Sequence, residues 1–262
     1  TTDRASFIPT DASLGVAGRP QSATGQAIIL SGRNVSKAVG EHYGPKPNPA
    51  VTAEVKRGTL FKEVIEAGGK AALITPYPQP FFDAISSGKR LLSSVPLAAD
   101  SAGIPLMTAD DLINGRAVSP GFTGQAWHDL LGYPDVPILT PHQAGQQIAH
   151  IAKNYHFSFF EHWPSDRFGH RGPLEDAVAH LELIDTALGG LFEAWDDENG
   201  LLIITSDHGN IEGKDSRHHT MNNVPTILIG HHHARLAEKV HDLSHIAPIV
   251  LEHLQFSRTY AP

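Results

Sequence analysis

The chain has 262 residues, with 20 lysines and arginines against 28 aspartates and glutamates, for a formal net charge of −8. Without clustered cationic excess it is not a nucleic-acid scaffold, and at 40% hydrophobic and 18% charged residues it has material for a large core and lacks the charge density of a disordered chain. Zero cysteines exclude disulfides, thiolate chemistry and cysteine-ligated zinc, and no apolar run reaches the roughly 18 to 20 residues that cross a bilayer.

Taken in chain order, Thr1 to Gly18 shows no apolar strand, so an N-terminal strand is expected to be missing. Leu60, Val64 and Ala67 share one helical face, and Gly68-Gly69 stops that helix before a short strand, Ala71 to Thr75. The stretch from about 76 to 140 is proline-rich with only short apolar pieces, and reads as a loop-rich excursion or small lid within a single domain spanning 1–262. Thr140-Pro141 supplies an N-cap and a first-turn proline for a helix carrying Ala144, Ile148, Ile151 and Tyr155, followed by a strand, Phe157 to Phe160. The longest helix runs from Leu174 to Trp195 on a stripe through Val178, Leu181, Ile184, Leu188 and Leu191. Leu201 to Thr205 and Val224 to Ile229 read as buried strands, and Ile246 to Leu254 as a closing helix. This alternation predicts an α/β fold with a mainly parallel sheet covered by helices on both faces.

With cysteine absent, a metal must sit on histidine, carboxylate or hydroxyl oxygen, and several of the 17 histidines lie beside aspartates and glycines near the ends of apolar runs. Asp207-His208-Gly209-Asn210 follows the strand Leu201 to Ile204, where loops beyond strand ends bind ligands; it is either a ligand pair or a tight turn. Asp166 and His170, four apart after the strand Phe157 to Phe160, can converge on one cation, or Asp166 can cap the long helix. His218-His219-Thr220 precedes the strand Val224 to Ile229. Ser22, ahead of the apolar run Ala27 to Leu30, is either an ordinary N-cap or a nucleophile at the positive end of a helix. Lys89, Arg90 and Arg116 are expected to be solvated surface charges, and His231-His232-His233 an exposed loop.

These residues resemble a known family. Thr205 to Asn210 with Glu212, then His219-Thr220 and Asn223-Val224-Pro225, is similar to the C-terminal signature of the cofactor-independent phosphoglycerate mutases, which with the phosphopentomutases belong to the alkaline phosphatase superfamily of two-metal enzymes. Asp166-x-x-x-His170 and Asp242 to Pro248 resemble two further motifs of that family, and Ser22 takes the place of its nucleophile, with Gly25 and Gly32-Arg33 at matching spacing.

The resemblance implies an alkaline phosphatase-like core and two divalent ions, manganese or zinc. One would be held by Asp166, His170 and His219, the other by Asp207, His208 and the Ser22 oxygen, with Ser22 accepting a phosphoryl group from a small phosphorylated substrate and Arg33 available to bind that substrate. Two departures stand out: no N-terminal Asp-Gly strand precedes Ser22, where Asp3 and Asp11 lack strand context, and Gln26 stands where both mutase branches have histidine. Because little length between Ser22 and Asp166 is left for a water-excluding cap, the reading leans to a phosphatase or phosphodiesterase over a phosphosugar or phosphoglycerate mutase. The rival from another class is a noncatalytic metal-binding module with a degenerate site. A cytoplasmic location with no nucleic-acid or membrane partner is expected, and oligomeric state is left open.

Overall fold

The computed structural model describes residues 1–213 and 216–255, and the chain falls into two compact units. The first comprises Thr1–Gly69, Leu92–Gly103 and the chain from Asp196 onward; the second comprises Lys70–Leu91 and Ile104–Trp195. The strands among the described residues are β1 (Ala5–Thr10), β2 (Ala71–Leu73), β3 (Phe157–Phe159), β4 (Leu201–Ile204) and β5 (Val224–Gly230). The stretch at 76–140 holds the helices Gln79–Ser86, Ser94–Ser101, Ala109–Ile113 and Gln125–Asp129, and its 92–103 portion belongs to the first unit.

In the first unit, β5 lies between β1 and β4 and pairs antiparallel with both, in a register that sets Ala5 opposite Ile229 and Ile204 opposite Ile227. The expected N-terminal gap is therefore corrected: a strand is present at Ala5–Thr10. Its two buried positions, Ser6 and Thr10, are hydroxyls in place of apolar side chains. Thr10 donates to the Thr226 oxygen at 2.7 Å, Thr205 lies 2.9 Å from that same oxygen, and Ser6 Oγ lies 3.0 Å from His233 Nδ1. The Thr10, Thr226 and Thr205 hydroxyls thus tie all three strands together at the end of β4 from which Asp207 follows. The antiparallel turn from β4 to β5 has a physical reason: a parallel return needs a crossover, usually a helix, and 205–223 holds no helix among the described residues.

At the centre of this unit sits the helix Ser22–Ser31, buried on nearly every side, with Ile28 and Leu30 at 0% exposure. A helix apolar all round belongs inside a core. It is packed by the helices Pro49–Arg57, Leu60–Glu66, Ser94–Ser101 and Ile246–His253. Gly32 ends it in the left-handed region at φ 63°, donating its N–H to Ile28 O.

In the second unit β2 and β3 pair parallel, Ala71 opposite Phe157, so among the strands of the described residues the mainly parallel sheet expected from the alternation is met by this pair alone. The helix Pro141–Ala152 begins as its sequence predicts, with Thr140 and Gln143 forming a reciprocal capping box. It packs on the long helix Leu174–Ala194 through glycines. A Cβ on Gly145 would lie 1.8 Å from Ala187 O, and one on Gly190 would lie 2.0 Å from His142 O. The long helix accordingly buries Ala177, His180, Ala187, Gly190 and Leu191, while Leu174, Val178 and Leu181 of the expected stripe are exposed.

Candidate functional site

In the first unit the residues singled out from the sequence converge. Ser22 is the first residue of its helix; the N-cap is Gln21, which makes no side-chain capping bond, so the ordinary capping role for Ser22 is set aside. The Ser22 hydroxyl points instead to the loop after β4, where Oγ lies 3.0 Å from His208 Nε2. One turn along, Gln26 Nε2 donates to Asp207 Oδ2 at 3.0 Å. Between these contacts Gly25 meets the loop backbone so closely that a Cβ would sit 2.4 Å from Asp207 O. Glycine is required there by contact, with no demand on φ.

The imidazoles of His208 and His219 stack at 3.6 Å between centroids and 12° between planes, and both are buried. His219 Nδ1 lies 2.8 Å from the Pro20 carbonyl, an acceptor only, so Nδ1 carries the proton and Nε2 keeps the lone pair a metal needs. The loop between the two histidines is clasped by Glu212. Its Oε1 accepts from the Thr220 hydroxyl and from Asn222 Nδ2 at 3.2 Å, and its Oε2 accepts from Asn210 N at 2.8 Å. Burial acts to raise the Glu212 pKa, but the bonds from Thr220, Asn210 and Asn222 outweigh it and hold the carboxyl below its usual range. Gly209 and Thr220 form an antiparallel bridge beneath this clasp, and a Cβ on Gly209 would lie 2.2 Å from Thr220 Oγ1.

In the second unit Asp166 and His170 lie on the helix Pro164–His170, so Asp166 does not cap the long helix. Their i, i+4 spacing brings Oδ1 and Nε2 to 3.3 Å, with both side chains over a third exposed. The approach to this helix is fixed by aromatic and polar contacts. Tyr77 donates its hydroxyl proton to Glu161 Oε2 at 2.6 Å, and burial together with the Glu161 charge pushes the phenol well above its ordinary pKa. His162 Nδ1 lies 2.7 Å from Pro120 O, and its Nε2 lies 3.0 Å from His180 Nε2.

The remaining charged residues are placed elsewhere. Arg33 is nearly buried, its Nε donating to Glu54 Oε2 at 3.1 Å and its Nη2 to the carbonyls of Glu54 and Gly58 at 2.6 and 3.1 Å, so the guanidinium ties helices together within the first unit. Asp11 does follow a strand, β1, but its carboxylate closes a turn by accepting from Ser13 N, Ser13 Oγ and Leu14 N. Lys89 is exposed, Arg116 pairs with Asp111 at 2.8 Å, and Arg90 lies over the Phe81 ring at 5.0 Å. His231 and His232 are exposed as expected; His233 is buried and starts the helix His233–Ala237. Sequence reasoning missed the Gln26–Asp207 bond and the Glu212 clasp. The signal for the first was Gln26 standing one turn after Ser22.

The donor chemistry fits divalent metal. Carboxylate and imidazole predominate, Asp207 and His219 are each oriented by a hydrogen-bond partner, and oriented ligands are the mark of metal sites. Residues 142–258 match the Metalloenzyme superfamily. More particularly, the chain is similar to curated 2,3-bisphosphoglycerate-independent phosphoglycerate mutases. That of Thiobacillus denitrificans is 40% identical over 94 residues, which is 33% of this chain and 18% of that protein. That of Acetivibrio thermocellus is 36% identical over 113 residues, 40% and 22% of the two chains. That of Pyropia yezoensis is 32% identical over 167 residues, 55% and 31% of the two. The chain thus spans less than a third of the length of each. A solved protein of Pyrococcus horikoshii superposes on 76% of this chain and 46% of its own, with a TM-score of 0.45 at 17% identity. Among the described residues no helix is long and apolar enough to cross a membrane.

Proposed function

We propose that this chain carries out metal-dependent phosphoryl transfer on a small phosphate ester, with Ser22 as the acceptor, in a cytoplasmic setting. The observation that carries the reading is the Ser22 Oγ to His208 Nε2 contact of 3.0 Å at the first residue of a buried helix. Asp207, His208 and the Ser22 oxygen would hold one divalent ion, and Asp166, His170 and His219 another, manganese or zinc by the mixed carboxylate and imidazole donors. Bound there, such ions lower the pKa of the serine hydroxyl and neutralise charge on the phosphoryl oxygens.

The Ser22 oxygen attacks phosphorus, the ester oxygen leaves and takes up a proton, and the phosphoserine then passes its phosphoryl group to a second acceptor. The positive end of the helix Ser22–Ser31 favours the phosphate dianion during both steps. Arg33 is not part of this proposal, because its donors are engaged with Glu54 and Gly58. The similarity to phosphoglycerate mutases weighs toward a hydroxyl of the substrate as second acceptor, against the hydrolysis that chain length alone favoured.

The test is release of a chromogenic phenolate from its phosphate ester with added Mn²⁺ or Zn²⁺, and separately the fate of 3-phosphoglycerate. We expect metal-dependent turnover that falls by at least about 10³-fold in Ser22→Ala. An isomeric phosphate as product supports the mutase and free phosphate the hydrolase; turnover indifferent to metal and to Ser22 would refute both.

A further inference from the structure

Ser22 and Gln26 stand one turn apart on the same face of their helix and reach adjacent residues of one loop, Ser22 to His208 and Gln26 to Asp207, each at 3.0 Å. An ionised carboxylate only accepts, so the Gln26 amide must turn its NH₂ toward Asp207. Its carbonyl is thereby directed away, and Gln26 Oε1 is buried with no hydrogen-bond partner among the described residues. A buried amide oxygen left unpaired is destabilising, and a leucine or methionine of similar size would avoid it. Core packing therefore does not explain the glutamine. The Asp207 contact does: an amide donor on one oxygen fixes the carboxylate's rotation, and Gly25 beside it brings helix and loop backbone close enough for that bond to form.

We propose that Gln26 is a positioning residue that holds the Asp207 carboxylate in its metal-binding orientation, retained against a cost to folding. The proposal rests on the reading of Asp207 as a metal ligand. Its signature is a pair of opposite effects that a purely structural role cannot give, because the same substitution removes both the stranded oxygen and the ligand's partner.

The experiment compares the protein with Gln26→Met, which keeps chain length and packing, and with Gln26→Leu. Mn²⁺ affinity is measured by titration calorimetry and by the loss of the free-ion paramagnetic resonance signal, and thermal midpoints are recorded in chelator. Affinity is expected to fall about 10- to 100-fold in both variants, the range found when a ligand's hydrogen-bond partner is removed, while the midpoint in chelator holds or rises. Unchanged affinity would overturn the assignment, and so would weaker affinity accompanied by a lower midpoint, which marks a packing defect. If the unsubstituted protein takes up no Mn²⁺, the ligand reading of Asp207 itself fails and carries this proposal with it.

Discussion

The donors beside the helix Ser22–Ser31 and those on the helix Pro164–His170 are held in different ways. The His208 and Asp207 side chains are 5% and 20% exposed, whereas those of His170 and Asp166 are 34% and 39% exposed. In the first group each donor is locked by something else: Asp207 by Gln26, His219 by the Pro20 carbonyl, and the loop between the histidines by Glu212. In the second, the geometry comes from helical spacing across a single turn, on a seven-residue helix too short to be stable alone. The first group's donors are themselves partners of buried groups, so removing such a donor disturbs folding; the second presents its donors at little folding cost.

The sharpest way to break that comparison is to remove a donor from each region. Asp207→Ala and Asp166→Ala are both expected to lower metal-dependent turnover by at least about 10³-fold, as loss of an essential group does. Their stabilities should part. Asp207→Ala strands the Gln26 amide in the interior and is expected to cost about 1–3 kcal/mol, whereas Asp166→Ala at a half-buried position beside His170 should cost less, about 0.5 kcal/mol. Urea unfolding in chelator decides it, and equal losses would dissolve the distinction.

A smaller effect follows from the close approach of helix and loop. Gly25→Ala places a methyl 2.4 Å from Asp207 O, so backbone must move. Overpacking of this kind costs about 1–3 kcal/mol, and a displacement of 1 Å in a catalytic group costs about 10²-fold in rate. Gly189→Ala is the control in the second unit, where an added Cβ has nothing within 4 Å; it should stabilise its helix by about 0.5–1 kcal/mol and leave turnover unchanged. If Gly25→Ala behaved like Gly189→Ala, the first group would be looser than its contacts imply.

Much of this is legible in the amino-acid sequence, and what is not has physical causes. Thr140-Pro141 and Leu201 to Ile204 announced a helix start and a strand because capping chemistry and a continuous apolar run are local signals. β1 was hidden because it inverts the usual pattern: Ser6 and Thr10 face inward on hydroxyl bonds while Phe7 is 62% exposed. Strand direction was invisible too, since no residue of β5 records which way its neighbours run. The long helix misled in the same manner, because its close partner demanded Gly190 and Ala187 on the buried side and left Leu174, Val178 and Leu181, the first part of the stripe, outward. The donors themselves were legible, as residue types after strand ends; their orienting partners Gln26 and Glu212 were not, because such bonds depend on tertiary contact.

The finest discrimination between the regions comes from pH. His162 in the second unit is half-buried, donates from Nδ1 to Pro120 O at 2.7 Å, and therefore presents an Nε2 lone pair that accepts from His180 Nε2 at 3.0 Å. Burial lowers its pKa from 6.5 to about 4, with nearby His180 acting in the same direction and the Pro120 bond against it. In the unfolded chain the same imidazole titrates near 6.5. Between those two values the unfolded chain holds a proton that the native chain does not, so stability falls as pH is lowered from 6.5 and levels off below about 4. The whole span is on the order of 3 kcal/mol, and His180, also lowered by burial, adds to it in the same direction. Trp127, Trp163 and Trp195 all lie in the second unit and are the chain's full set of 3, so tryptophan fluorescence during urea unfolding reports on that unit. Its midpoint should decline from pH 7 to pH 5, and the decline should be markedly shallower in His162→Phe, which lowers stability at pH 7 by unpairing Pro120 O and the His180 N–H but removes the titrating ring. A slope untouched by that substitution would mean that the acid sensitivity of the second unit resides elsewhere.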